Sequence, residues 1–241
     1  IGAGINIVND KIGFQKNLNL TLSGSYFINL RSSSFYGRVK KRLYMGMQAG
    51  FRQYSLDVNA LDPHEQGDLV IPTIAKSTML PEIGVGFLYT SEGFYTGVSI
   101  PHLVQSKIKY SDYQGIEARQ VRHYYVMSGY EYELTKEFVL KPNVLMKYAV
   151  NAPIEFDVNA LVEYNKMVWT GLSMRTRDAV AFLIGVNAGE ISDSFNEQIK
   201  IGYSFDWSVS GLPQYNKGSH EIYIIYNINL GEKTLRPKFV G

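Results

Sequence analysis

Three features of the sequence predict an all-β chain folded as an antiparallel transmembrane barrel of the outer-membrane kind, with about twelve visible strands: long runs alternating apolar and polar residues, charges on the face opposite the apolar one, and abundant tyrosine. The alternation is clearest at 198–230. Ile199, Ile201, Tyr203, Phe205 and Trp207 share one side of an extended chain, with Lys200, Gly202, Ser204 and Asp206 on the other. After a turn-rich break at 208–218, Ile222, Ile224, Tyr226, Ile228 and Leu230 alternate with Glu221, Tyr223, Ile225, Asn227 and Asn229, so the two runs read as a hairpin. Each run is about ten residues long. Strands of soluble proteins cluster near five or six residues, and membrane-spanning strands need roughly nine to eleven. A soluble sandwich or lipocalin-like barrel shares the alternation; strand length, inward charges and aromatic content separate the two.

Composition agrees with this reading. Tyrosine accounts for 18 of the 241 residues, and suits a boundary where the ring sits in lipid and the hydroxyl in water. The absence of cysteine removes disulfides, thiolate metal sites and cysteine nucleophiles from consideration. A net charge of +2 gives no strong pull toward nucleic acid. No apolar run approaches the roughly eighteen residues of a membrane-crossing helix. One domain over 1–241 is expected; because the chain opens on Ile1 inside a strand pattern, strands N-terminal to it are expected to be missing.

Taken in order, Ala3, Ile5 and Ile7 form the first run, which Asn9, Asp10 and Lys11 should break. The second extends from Leu18 to Leu30 and the third, after a polar and basic connection at 32–42, sets Leu43, Met45, Met47, Ala49 and Phe51 against Tyr44, Gly46, Gln48 and Gly50. A break at 57–80 precedes Ile83, Val85, Phe87 and Tyr89; Ser91, Glu92 and Gly93 turn that strand into 94–100, and a second break runs over 101–119. Tyr124, Val126, Tyr130, Tyr132 and Leu134 then pair through a turn at 135–137 with Leu140, Val144, Met146 and Tyr148, which places Glu131 opposite Lys141. Runs at 156–164, 167–175 and 179–187 lead into the final hairpin.

Connection lengths carry a second signal. The joins after the third, fifth and eleventh runs are about twenty-four, nineteen and eleven residues, and most of the others are short. Outer-membrane barrels put short turns on the periplasmic side and long loops outside, so 57–80, 101–119 and 208–218 are expected to face the cell exterior. Inward glycines, among them Gly46, Gly86, Gly129, Gly171 and Gly202, leave room for large neighbours or strong curvature.

No Gly-x-Ser-x-Gly elbow is present, and Ser219, His220 and Glu221, adjacent in a strand, point to alternate faces and cannot form one relay. A lipid-modifying enzyme would rest on inward His123, which has no evident serine partner. Asp57, Asn59, Asp62, Glu65 and Asp68 offer oxygen ligands, but their spacing misses the calcium loop of an EF-hand; a hydrophilic outer loop is the plainer reading. His64 and His102 are isolated, which fits loop packing better than metal ligation. Arg38, Lys40, Lys41 and Arg42 form the one basic run, suited to a periplasmic-rim partner or to anionic headgroups of membrane lipid.

Several stretches, in this order, carry a family likeness: INIVNDKIG from Ile5, GMQAGF from Gly46, FYTGVSIPHL ending at Leu103, Arg122-His123-Tyr124-Tyr125, KPNVLMK from Lys141, and IGYSFDW followed by YNKGSHEI. Together they resemble the PorP/SprF family of type IX secretion system membrane proteins over essentially the whole chain. The resemblance implies an outer-membrane barrel, of about fourteen strands when complete, that is not an enzyme and has no cofactor. It further implies a role in secretion or surface attachment of cargo proteins carrying a C-terminal sorting domain, in some members for gliding motility, and links to periplasmic ring and peptidoglycan-associated components. The sequence departs from the family pattern at the long basic connection 32–42 and at 236–241, which lacks a terminal aromatic pair.

The expected function is therefore recognition. Leu103, Tyr113, Leu212, Tyr215 and His64 on the long loops are the candidate partner-binding residues. His123, Glu131, Glu133, Lys141, Lys147 and Asp157 are the candidate lumen-facing ones; in the alternative reading, a passive diffusion pore for small solutes, they would line water.

Overall fold

The computed structural model describes all residues except 31–40, 57–76, 109–117, 189–196, 210–217 and 229–241. Among the described residues there is no α-helix, and the long strands pair antiparallel throughout. The chain divides into two compact units, Ile1–Tyr130 with Val144–Phe156, and Glu131–Asn143 with the chain from Asp157 onward.

In the first unit, β1 (Gly2–Ile12), β2 (Gln15–Leu30), β3 (Lys41–Leu56), β4 (Ser77–Ser91), β5 (Phe94–Ile100) and β8 (His123–Tyr130) pair in that order. Between β5 and β8 a small separate hairpin joins β6 (Lys107–Ile108) to β7 (Ala118–Arg119), inside what the sequence reads as an unbroken connection. In the second, β11 (Glu155–Tyr164), β12 (Val168–Arg175), β13 (Ala179–Asn187), β14 (Glu197–Ser208) and β15 (Ser219–Ile228) pair in sequence. Strand β10 (Phe138–Ala149) runs through both, and the two-residue β9 (Tyr132–Glu133) pairs with its start. The sixth run is thus split at Glu131.

One expected break is absent and another ends earlier than expected. Asn9, Asp10 and Lys11 stay in β1, paired with Leu18, Asn17 and Lys16, and the turn comes at Gly13, whose φ of 58° lies in the left-handed region that glycine enters without strain. Likewise β3 continues to Leu56 and β4 begins at Ser77, so Leu80, Pro81 and Glu82 belong to a strand. Polar residues and a proline conceal these extensions from an alternation test.

Burial is inverted relative to a soluble protein. Among the described residues only Leu80, Trp169, Ala179 and Ala181 are buried apolar residues, whereas Thr21, Glu82, Gln120, Asp157, Asn187 and Ser204 are buried polar ones. Ile222 and Ile224 are 72% and 69% exposed, together with Leu22, Phe51, Phe87, Leu172 and Phe182. Within the second unit register places such residues on one face: Ile224 lies across from Ile201, which lies across from Val186, which lies across from Val168. The adjacent row, on the opposite face, holds Tyr223, Gly202, Gly185 and Trp169.

Among the polar groups on the apolar face, those of Thr96, Thr170, Tyr203 and His220 have partners. The Thr96 and Thr170 hydroxyls each donate to a main-chain carbonyl at 3.0 Å, and the Tyr203 hydroxyl lies 2.7 Å from Nδ1 of His220. Such pairing is what a medium without water demands. From Leu18 to Leu30 on β2 the apolar face runs thirteen residues, or twelve rises. That is roughly 40 Å along the strand and about 30 Å of height at a barrel-like tilt near 40°, close to a hydrocarbon thickness.

Candidate functional site

The polar face of the first unit carries a connected cluster. Glu82 on β4 sits across from Gly50, whose missing side chain keeps the row open, and its carboxylate is almost fully buried. Arg52 Nε lies 3.0 Å from Glu82 Oε2 and its NH2 donates to Oε1 at 3.1 Å, while His102 Nδ1 approaches Oε1 at 2.6 Å. The Gln120 amide lies 3.0 Å from the same histidine nitrogen. A buried carboxylate with two basic partners is the arrangement that makes burial of charge tolerable.

The cluster ties the connection after β5 to the sheet. Leu103 N–H donates to the Ile83 carbonyl at 2.8 Å, and Arg122 NH2 donates to the Leu103 carbonyl at 2.7 Å. His123 lies edge-on to His102, with ring centroids 5.9 Å apart, and stacks on Tyr125. Beside this cluster is a trough of about 560 Å³. Its floor includes Gly46, Gly84, Gly86 and Gly97, and Ser23, Gln48, Ser99, Tyr44 and Tyr125 are among the polar side chains that line it.

The polar face of the second unit is cross-braced. Lys141 Nζ is 3.2 Å from both oxygens of Glu163 and 3.7 Å from Glu131, the partner that strand register assigns it. Asn159 donates to Asn143 at 2.7 Å, and Arg175 Nε approaches the buried Asp157 at 3.4 Å and donates through NH1 to Asp178 at 2.8 Å. Aromatic rings fill the glycine positions: Trp169 and Tyr223 stack 6.0 Å apart, and a side chain at Gly185 or Gly202 would collide with Trp169 or Tyr223 respectively.

Of the residues expected from sequence, Glu131, Lys141 and Asp157 come together in these braces. His123 is half-buried in the first-unit cluster, with Nδ1 2.8 Å from the Val121 carbonyl. Lys147 is half-buried on β10, and Glu133 is exposed on β9 across from Val139. Leu103 is half-buried and held by both main-chain bonds described above. Tyr113, Leu212, Tyr215 and His64 lie outside the described residues, as do Asp57, Asn59, Asp62, Glu65 and Asp68. Arg42 of the basic run lies 5.1 Å over the Phe27 ring and donates to the Tyr44 hydroxyl at 3.3 Å. Ser219 and Glu221 sit across from Asp206 and Ser204, whereas His220 faces Phe205 on the apolar side, so the three form no relay.

Sequence reasoning missed Arg52, Glu82, Gln120 and Arg122. The available signal was parity, since Glu82, Gly84 and Gly86 share one face, but their convergence depends on cross-strand register and on how the 101–122 connection folds back.

A family model described as Type IX secretion system membrane protein PorP/SprF matches residues 1–226. Comparison with curated proteins found no match.

Proposed function

The chain belongs to the PorP/SprF family of type IX secretion system membrane proteins, and from that premise we propose that it is a non-enzymatic outer-membrane barrel that binds, delivers or retains secreted cargo at the cell surface. The observation that carries the membrane part is the inverted burial, with isoleucine and leucine outward and Glu82, Asp157 and Asn187 hidden. A sheet so patterned is stable where lipid covers the apolar face and closure protects the polar one. The chain is read as one barrel domain with its polar face toward the lumen and the long connections, which begin and end at the strand bounds as 57–76, 101–119 and 209–218, outside. Cargo with a C-terminal sorting domain is the partner, clasped by those connections; periplasmic ring or peptidoglycan-associated components meet the opposite rim, and gliding adhesins are the cargo class in motile cells.

A recognition role is favoured over a diffusion pore because the polar face is occupied by braces and aromatic rings stacked over glycine. The test is to extract the barrel from cells in mild detergent and identify what accompanies it by mass spectrometry, with and without deletion of 101–119. A secreted protein that co-purifies with the intact barrel and is lost from the deletion supports the reading. Absence of any such protein, together with steady conductance in planar bilayers, would replace it with the pore.

A further inference from the structure

Each unit carries a cross-strand pair of glycines on its polar face, but only one of the two pairs is covered. In the second unit one row reads Tyr223, Gly202, Gly185, Trp169, and the rings of the outer two lie over the glycines between them, stacked 6.0 Å apart. In the first unit the corresponding row reads Ser25, Gly46, Gly86, Ser99. The glycines pair in the same way, but their neighbours are serines and supply no ring. A carbon added at Gly46 or Gly86 would meet nothing nearer than 3.6 or 3.4 Å, whereas one added at Gly185 or Gly202 would strike Trp169 or Tyr223. Tyr95 covers its cross-strand partner Gly129 likewise, so an aromatic ring over glycine is the recurrent filling of this face.

The uncovered pair is the floor of the trough, whose volume of about 560 Å³ is within the range of small-ligand sites. Side chains of Leu88, Met127 and Leu145 line it together with Tyr44, Gln48 and the two serines, and no charged side chain does. Apolar wall left open to water is unfavourable, and a ligand that covers it gains that difference. Three requirements on the ligand follow. It is uncharged, because an ion finds no counter-charge there. It is flat, because it lies against main chain at the glycines. It carries a polar tip, because hydroxyls stand among the apolar walls; an acyl chain would cover the walls and leave those hydroxyls unmet.

We infer that the trough is a binding site for a neutral aromatic ring bearing one polar group, a phenol or an indole, laid on Gly46 and Gly86 as Trp169 and Tyr223 are laid on Gly185 and Gly202. The site goes beyond the cargo reading and stands independently of what the long connections hold. Its ring comes either as a free small molecule or on the side chain of a bound polypeptide, and the chemistry is shared.

The test titrates the detergent-folded protein with para-cresol, cyclohexanol and benzoate, binding being read by saturation-transfer NMR against empty micelles of the same detergent. Para-cresol is expected to bind about fivefold or more tighter than cyclohexanol, which lacks the ring face, and than benzoate, which carries a charge. Gly46→Val raises the floor where space permits it and should weaken para-cresol by a similar factor. The double variant Ser25→Tyr with Ser99→Trp rebuilds the second unit's row, so it should lose para-cresol binding and unfold at a higher guanidinium midpoint than the wild type. Heat-modifiable migration confirms that each variant is folded. Acetyl-tyrosine methylamide separates the sources: binding as tight as that of para-cresol assigns the ring to a polypeptide, and binding of para-cresol alone assigns it to a small molecule, both in support of the site. Equal binding of para-cresol and cyclohexanol, tighter binding of benzoate, binding of none, or para-cresol affinity unchanged in the folded double variant overturns the inference.

Discussion

Replacing Ile224 and, separately, Ile225 by arginine asks whether adjacent residues of one strand face different media. Ile224 is 69% exposed, lies across from Ile201 and is flanked on its own face by Ile222 and Tyr226. An arginine on a lipid-facing barrel position costs about 2–4 kcal/mol near mid-membrane. Ile225 is 44% exposed and lies across from Lys200, so arginine there meets only a like charge across the pair, a penalty below about 1 kcal/mol, and Ile225→Glu should be neutral or slightly stabilising. The assay is guanidinium unfolding of protein folded into phospholipid vesicles, followed by tryptophan emission, with midpoints and slopes compared. A difference of at least about 1–2 kcal/mol between the two arginine variants is expected. If both cost under about 0.5 kcal/mol, as surface substitutions in water do, Ile224 is not in lipid and the face assignment is wrong.

Glu82→Ala should destabilise by about 3 kcal/mol, the lower end for breaking a buried pair because Arg52 keeps some contact with solvent, and adding Arg52→Gln should recover part of the loss; additive losses in the same unfolding assay would show that the pair is not coupled. Gly185→Ala puts a methyl group onto Trp169 and the Ile201 carbonyl, so a loss of about 1–3 kcal/mol with altered tryptophan emission is expected, and unchanged emission would place the ring elsewhere. Lys141→Met removes the brace to Glu163 and Glu131, but the lysine is partly exposed, so the stability change should stay under about 1 kcal/mol.

The strand plan was legible because each strand separates two media, so side-chain parity repeats the same message for ten or more residues. The twelve runs and the placement of Glu131 against Lys141 follow from that parity and one tight turn. What escaped detection depended on other physics. At 9–11 the strand keeps its hydrogen bonds although the side chains are all polar, since main-chain pairing is indifferent to them and only Gly13 supplies the turn. The Glu82 cluster joins residues on β3 and β4 and in the connection before β8, and no local pattern encodes that meeting. The inward glycines were read as space for large neighbours, and Gly129 under Tyr95 and Gly202 under Tyr223 are such places; which ring fills which gap depends on register.

The two faces also differ in volume, and that difference has a mechanical consequence. In the first unit Gly46 pairs with Gly86 on the polar face, while the next row, on the apolar face, pairs Met47 with Val85. In the second, Gly185 pairs with Gly202, and the following row sets Val186 against Ile201. Rows that are large on one side and empty on the other relieve crowding by curling toward the empty side. Within each unit the sheet is therefore biased to bend its polar face inward, the sense of curvature that a closed barrel requires. The same bend shields Glu82 and Asp157 from bulk solvent while turning Ile222 and Leu172 out. Exposure of the apolar residues and burial of the charged ones thus have one physical origin, a concave polar face.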